Sequence, residues 1–266
     1  MIILLEIKNL SVKAKNNKYI LQNISLKIDR SHVIGVTGAS GSGKTTLIKS
    51  ILGILDNSYC TTNGSICLDS KDITDLKPKE RRELCGKTIG YIPQNPMTAF
   101  DPRIKLGKQV KETLCIRLGI KKDIADDMFL EFLKMLNLED GKRILESYPA
   151  EISGGMLQRI AVALTFSMQP KYILADEPTS SLDEENRDIL IKILKSKQDE
   201  IGILFISHDA NALCSLCENV VVMEGGKIIE KGKMDSLLIH PQMDWTKTFS
   251  KVCRNGNERS FAWTEY

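Results

Sequence analysis

An α/β fold with a largely parallel, covered sheet is predicted by three features of this sequence. Strand and helix patterns alternate through its second half, as they do where helices cover parallel strands. A glycine-rich turn, Gly38-Ala39-Ser40-Gly41-Ser42-Gly43-Lys44-Thr45, joins an apolar run to an amphipathic one. A further apolar run, Tyr172-Ile173-Leu174-Ala175, ends in two carboxylates, Asp176 and Glu177.

Taken in order, residues 2–10 and 19–28 alternate apolar and polar positions, the period of half-buried strands. Val33-Ile34-Gly35-Val36-Thr37 reads as a short buried strand, and Thr46–Leu52 has apolar residues at helical spacing. Strands around 64–69 and 88–92 bracket Lys77-Pro78-Lys79-Glu80-Arg81-Arg82, which begins a short helix. From about 104 to 147 the pattern is helical, through Leu114, Leu118, Met128, Phe129, Phe132, Leu133 and Leu136. This is a helix-rich insertion between two parts of an α/β domain. Helix 154–168, strand 171–175, helix 183–197, strand 202–206 and helix 209–217 follow. A hairpin near 219–230 turns at Gly225-Gly226. No internal repeat or low-complexity linker interrupts the chain, and the segment beyond about 241 reads as a polar tail.

Composition sets outer bounds. The 266 residues, 42% hydrophobic and 27% charged, suit one large globular domain or a domain with a modest appendage. A net charge of +3 gives no argument for nucleic-acid binding. No apolar run approaches the ~20 residues that span a bilayer. The start, Met1-Ile2-Ile3-Leu4-Leu5-Glu6, lacks the basic region of a secretory signal. Seven scattered cysteines point to reduced thiols in a cytosolic protein, and the Cys214/Cys217 pair reads as packing, with a redox or metal role as the lesser alternative.

The chemistry lies in the strand–turn–helix pattern. Glycines let the turn fold inward so that backbone N–H groups converge on a phosphate at a helix N-terminus. Lys44 can reach the β- and γ-phosphates, and the Thr45 hydroxyl can ligate Mg²⁺. A nucleoside triphosphate is therefore the expected ligand, held by Gly38, Ala39, Ser40, Gly41, Ser42, Gly43, Lys44, Thr45 and Thr46. In such a fold the C-terminal strand edge faces the phosphates. Asp176 is then placed to hold Mg²⁺ and Glu177 to polarise an attacking water. Ile152-Ser153-Gly154-Gly155-Met156-Leu157-Gln158-Arg159 supplies a second anion-binding helix terminus, with Ser153 as its cap. Capping explains Ser153 but not two adjacent glycines in a first helical turn.

With these motifs in hand, the chain resembles the nucleotide-binding subunits of ABC transporters from residue 3 to about 240. Gly38–Thr45 matches the Walker A motif, Tyr172–Glu177 matches Walker B, and Ser153-Gly154-Gly155 matches the centre of the signature motif. Gln94 in Tyr91-Ile92-Pro93-Gln94 resembles the Q-loop glutamine. Ser180-Ser181-Leu182-Asp183 resembles the D-loop, and His208 in Ile206-Ser207-His208-Asp209 the switch histidine. Ile152 and Met156 depart from the usual signature while leaving its Ser-Gly-Gly intact. The resemblance implies an α/β P-loop NTPase, an ABC nucleotide-binding domain with an antiparallel β subdomain and a helical subdomain insertion. That domain would span 1–240, its helical subdomain about 95–168, with 241–266 a short C-terminal tail.

The resemblance further implies ATP and Mg²⁺ as ligands, with Thr45, Gln94 and Asp176 around the metal. Glu177, His208 and Lys44 would be catalytic, and Ser153, Gly154 and Gly155 would meet the ATP bound to a partner subunit. Tyr19, upstream of Walker A, is explained equally well by strand packing and is left out of the site.

Gln94-Asn95-Pro96-Met97-Thr98-Ala99-Phe100-Asp101-Pro102 resembles the Q-loop extension of peptide and nickel importers, and Gly154–Arg159 resembles the nickel branch. His240-Pro241 fits the end of that class's nucleotide-binding domain. A short tail with one cysteine, Cys253, also favours the nickel or metallophore branch. The implied assembly is a heterodimer with a paralogous ATPase, two permease subunits and an extracellular solute-binding protein. Its place is the cytoplasmic face of the cell membrane, without nucleic acid. The segment from Asn95 to about 118 is the expected docking surface for permease helices, with Phe100 as its test position. Alternatives are an oligopeptide or dipeptide importer, a soluble ABC protein acting on ribosomes or DNA, a non-catalytic ATP-binding partner, and an exporter. Intact Glu177 and His208 argue against the non-catalytic reading.

Overall fold

The computed structural model describes residues 4–255. Two sheets with a helix between them carry the N-terminal half of the sequence. β1 (Leu4–Ala14) and β2 (Tyr19–Asp29) form an antiparallel pair, and β3 (Val33–Gly38) runs into α1 (Lys44–Leu52). β4 (Tyr59–Leu68) and β5 (Lys71–Asp72) complete an antiparallel sheet ordered β2-β1-β4-β5. α2 (Pro78–Leu84) then leads to β6 (Ile89–Ile92).

The expected insertion follows as α3 (Leu106–Leu118), α4 (Lys122–Met135) and α5 (Gly141–Glu146). α6 (Gly154–Ser167), β7 (Tyr172–Asp176), α7 (Glu184–Lys197), β8 (Gly202–Ile206) and α8 (Ala210–Leu216) restore the alternation. β9 (Asn219–Glu224), β10 (Lys227–Lys233), α9 (Met234–Ile239) and α10 (Asp244–Asn255) finish it. The main sheet is ordered β10-β9-β3-β8-β7-β6. Its strands are parallel except β10, the hairpin partner of β9.

Alternation along the parallel strands sends side chains to two cores. Ile34, Val36, Leu174, Leu204 and Ile206 face the antiparallel sheet and α1. Val33, Ile173, Ala175, Ile203 and Phe205 face the helical layer. This double coverage fixes β3, β7 and β8 side by side, with their C-terminal ends at one edge. No helix among the described residues is long and apolar enough to cross a membrane.

Several sequence expectations change. β1 continues to Ala14, past the expected end at residue 10, because register shifts near Asn9 break the alternation without ending the strand. Residues 2 and 3, expected to start it, lie outside the described residues, as does 256–266. β4 starts at Tyr59, earlier than expected, through a run of exposed residues that carries no apolar signal. The segment beyond 241, expected as a polar tail, opens with α10. There Phe249 is buried and stacks on Trp245 at 5.3 Å, and Thr246 donates to Glu230 Oε2 at 2.5 Å. Phe100, expected on a docking surface, is 6% exposed and belongs to the helical-layer core. A 3₁₀ turn over Pro96–Ala99 carries the chain inward there and leaves Met97 at the surface, 43% exposed.

Candidate functional site

The loop after β3 is built by close approach. A β-carbon at Gly38 would run into the Met223 carbonyl oxygen, and Gly38 has φ of +140°. No larger residue fits between these strands. Gly43 caps α1 without a side-chain hydrogen bond, so the first-turn N–H groups keep their capacity to meet an anion. Lys44, the first residue of α1, is buried and curls back into the loop. Its Nζ donates to the Gly38 and Ala39 carbonyl oxygens at 2.9 Å each and to Ser42 Oγ at 3.4 Å. Burial pushes the Lys44 pKa down, and the charges of Glu177 and Asp176 oppose that shift. Ser40 and Gly41 are exposed at the loop's tip, while Thr46 lies half-buried in the first turn of α1.

Across the strand edge, β7 ends at Asp176, which is 1% exposed. Thr45 Oγ1 donates to Asp176 Oδ1 at 3.2 Å, and Oδ2 is buried without a hydrogen-bond partner. Desolvation pushes the Asp176 pKa up, against the Thr45 hydrogen bond. A buried carboxylate with one unpartnered oxygen, beside a hydroxyl, is an oxygen donor set that fits a hard divalent cation such as Mg²⁺.

Glu177 follows in the left-handed backbone region, with φ of +49°, and its amide donates to the Ile206 carbonyl at 3.0 Å. The turn swings its carboxylate between two other predicted residues. His208 Nε2 lies 2.9 Å from Oε1, and Gln94 Nε2 donates to Oε2 at 2.8 Å. The His208 hydrogen bond, the nearby positive charge of Lys44 and the hydrogen bond from Gln94 hold the Glu177 pKa below its ordinary value despite partial burial. His208 Nδ1 is buried without a partner, and Asp209 beside it caps α8 by accepting from the Asn211 and Ala212 amides. The result is an ionised carboxylate positioned from both sides near the phosphate-type loop, an arrangement able to orient a water molecule.

Lys44, Thr45, Gln94, Asp176, Glu177 and His208 therefore converge on one strand edge. Ser153, Gly154 and Gly155 do not join them: among the described residues, no hydrogen bond links them to the loop. Ser153 stands exposed at the α6 N-terminus, where its Oγ accepts from the Met156 amide at 3.3 Å. Gly155 packs against the next loop, where a β-carbon would lie 3.0 Å from the Ser181 carbonyl oxygen.

Two further residues of this helix make buried polar contacts. Gln158 is fully buried and donates to the Pro93 carbonyl at 3.2 Å. Arg159 donates to the Leu136, Asn137 and Gly155 carbonyls. Both are long polar side chains buried on a largely apolar helix, the available signal for a tethering role.

A glycine-built phosphate loop facing strand-end carboxylates across a parallel sheet defines a P-loop nucleotide hydrolase. Within that class the chain belongs to the ABC transporter family, whose model matches residues 21–180. It is an ATP-binding, ATP-hydrolysing cassette. It is 35% identical over 247 residues to the ATP-binding protein CntD of a metal-staphylopine import system in Staphylococcus aureus, covering 92% of this chain and 91% of the relative. To a probable D,D-dipeptide transport ATP-binding protein of Escherichia coli it is 36% identical over 229 residues, covering 85% and 70%. The oligopeptide transport ATP-binding protein OppD of Bacillus subtilis is 32% identical over 250 residues, with 91% and 70% covered. The structure resembles a dimeric, post-hydrolysis ATP-binding cassette bound to ADP and Pi, with a TM-score of 0.78 and 26% identity over 86% of this chain and 98% of that one.

Proposed function

We propose that this chain powers an importer of nickel or a metal chelate across the cytoplasmic membrane, from the cytoplasmic face. In this reading Gly38 to Thr46 cradle the ATP phosphates, with Lys44 on the β- and γ-phosphates. Thr45, Gln94 and Asp176 hold Mg²⁺, which neutralises phosphate charge when bound. Glu177 polarises the attacking water and His208 holds Glu177 in place. The observation that carries the reading is the Glu177 carboxylate, fixed by Gln94 and His208 beside Lys44.

Ser153, Gly154 and Gly155 complete the site of a second, paralogous ATPase subunit, a reading supported by the exposure of Ser153 and Gly154 away from this chain's own loop. Two permease subunits and an extracellular solute-binding protein make up the rest of the assembly. The metal reading draws support from the relative of the metal-staphylopine import system, similar over nearly the whole chain. Peptide import is the second reading, supported by the dipeptide and oligopeptide transport relatives.

Uptake of labelled nickel, free and chelated, separates them when measured beside a labelled dipeptide in cells with and without the gene. Loss of metal uptake alone, restored by the native chain but not by Lys44→Ala, supports the metal reading. Loss of dipeptide uptake alone transfers the protein to the peptide reading with its ATP-site roles unchanged.

A further inference from the structure

Away from the nucleotide site, three thiols gather where α10 packs on α8. Cys214 Sγ and Cys253 Sγ lie 2.9 Å apart, although 39 residues separate them in sequence. Cys214 is exposed, Cys253 half-buried and Cys217 buried. The sequence pairs Cys214 with Cys217 as C-x-x-C, but the fold pairs it with Cys253.

We propose that Cys214 and Cys253 are a redox-active dithiol whose disulfide fastens α10 to α8. The two helices already hold the sulfurs in contact. α10 is seated independently by the buried Phe249, by Thr246 on Glu230 and by Ser250 Oγ on the Leu238 carbonyl. The sulfurs therefore meet without displacing a helix, the condition that separates a bridgeable pair from an unbridgeable one. Their reactivities also differ. The hydrogen bond shared with Cys253 holds the Cys214 thiol below its ordinary value, and Cys214 is the exposed member. Burial pushes the Cys217 thiol far up and leaves it inert.

The oxidant is a low-molecular-weight disulfide. The Cys214 thiolate attacks one of its sulfurs, forming a mixed disulfide and expelling one thiolate. Cys253 then gives up its proton and attacks Cys214 Sγ, expelling the second small thiol. Two cysteine thiols are oxidised and one small disulfide is reduced to two thiols. Because α8 is capped by Asp209, next to His208, the bond ties the C-terminal helix to the helix that follows the nucleotide-site histidine.

The test treats the full chain with oxidised glutathione, unfolds it in denaturant, blocks the remaining thiols with N-ethylmaleimide, and maps the peptides by mass. The expected result is two fewer alkylated cysteines than the seven of the untreated chain. One peptide pair joins Cys214 to Cys253, about 2 Da lighter than the sum of its dithiol parts. Dithiothreitol reverses it, and Cys253→Ser replaces it with a persistent glutathione adduct on Cys214. A persistent adduct on Cys214 in the native chain overturns the proposal. So does pairing of Cys214 with another cysteine, or no reaction at either residue.

Discussion

His208 Nε2 sits 2.9 Å from Oε1 of Glu177, a residue the backbone holds in a left-handed conformation. Because Gln94 occupies the other carboxylate oxygen, Glu177 has a fixed orientation and a fixed charge. Glu177→Gln keeps the shape and removes the charge. The expected outcome is a fall of about 100-fold or more in ATP turnover, with nucleotide binding retained, because a positioned base contributes roughly that much. Turnover and equilibrium ATP binding on the purified chain check it, and turnover near the native rate removes Glu177 from its proposed role.

The same contacts set an acid dependence. The Glu177 carboxyl is held below its ordinary 4.5, first by the His208 hydrogen bond. A group whose folded pKa is depressed adds stability above its unfolded value and loses it as the pH falls through the folded one. The stability difference between the native chain and Glu177→Gln is expected to shrink as the pH falls below about 4.5. Thermal melts at stepped pH read this directly; a difference that shows no decrease below about pH 4.5 contradicts the assignment.

Asp176 carries an orphaned, buried oxygen beside Thr45, so a bound cation should matter to stability as well as to turnover. Chelation of Mg²⁺ is expected to stop hydrolysis. Thr45→Ala is expected to raise the Mg²⁺ concentration for half-maximal turnover about tenfold or more, since it removes both a proposed ligand and the partner that orients Asp176. A Mg²⁺ titration of native and variant chains decides the matter, and coincident curves count against Thr45.

How much of this was legible depended on locality. Gly38 to Thr45 and Tyr172 to Glu177 are contiguous, and each motif contains both its structural cause and its chemistry, so strand, turn and carboxylates were readable directly. α10 also carries a local signal: Trp245, Phe249 and Val252 recur at helical spacing on one face, set among polar residues. Phe100 was not legible, because an aromatic after a Pro-containing turn faces in or out according to how that turn closes. The Cys214–Cys253 contact joins elements 39 residues apart, and no local pattern encodes it.

The Gln158–Pro93 hydrogen bond ties the helix carrying Ser153 to the segment carrying Gln94. Pro93 is buried, so Gln158→Met fills the same space while leaving that carbonyl without its donor. If Gln158 acts by positioning Gln94, turnover falls about tenfold while the KM for ATP stays within about twofold, the signature of a change felt after binding. Steady-state kinetics provide the test. An equal loss of binding and turnover, or a fall in folded fraction alone, assigns Gln158 to the core instead.

The docking surface expected after Gln94 can be tested only at residues that reach it. Phe100 packs in the helical-layer core, so Phe100→Asp places a carboxylate where no partner charge awaits and removes a large apolar side chain. It is expected to cost about 3 kcal/mol or more and to lower ATP turnover along with the folded fraction. Met97, four-tenths exposed on the adjoining 3₁₀ turn, is the informative position. Met97→Asp is expected to leave the melting temperature and the turnover of the isolated chain unchanged while reducing solute uptake in cells, because the new charge would be buried only against a partner. Melting curves and uptake measured on the same two variants separate fold from docking. Full uptake with Met97→Asp would show that the permease is engaged elsewhere.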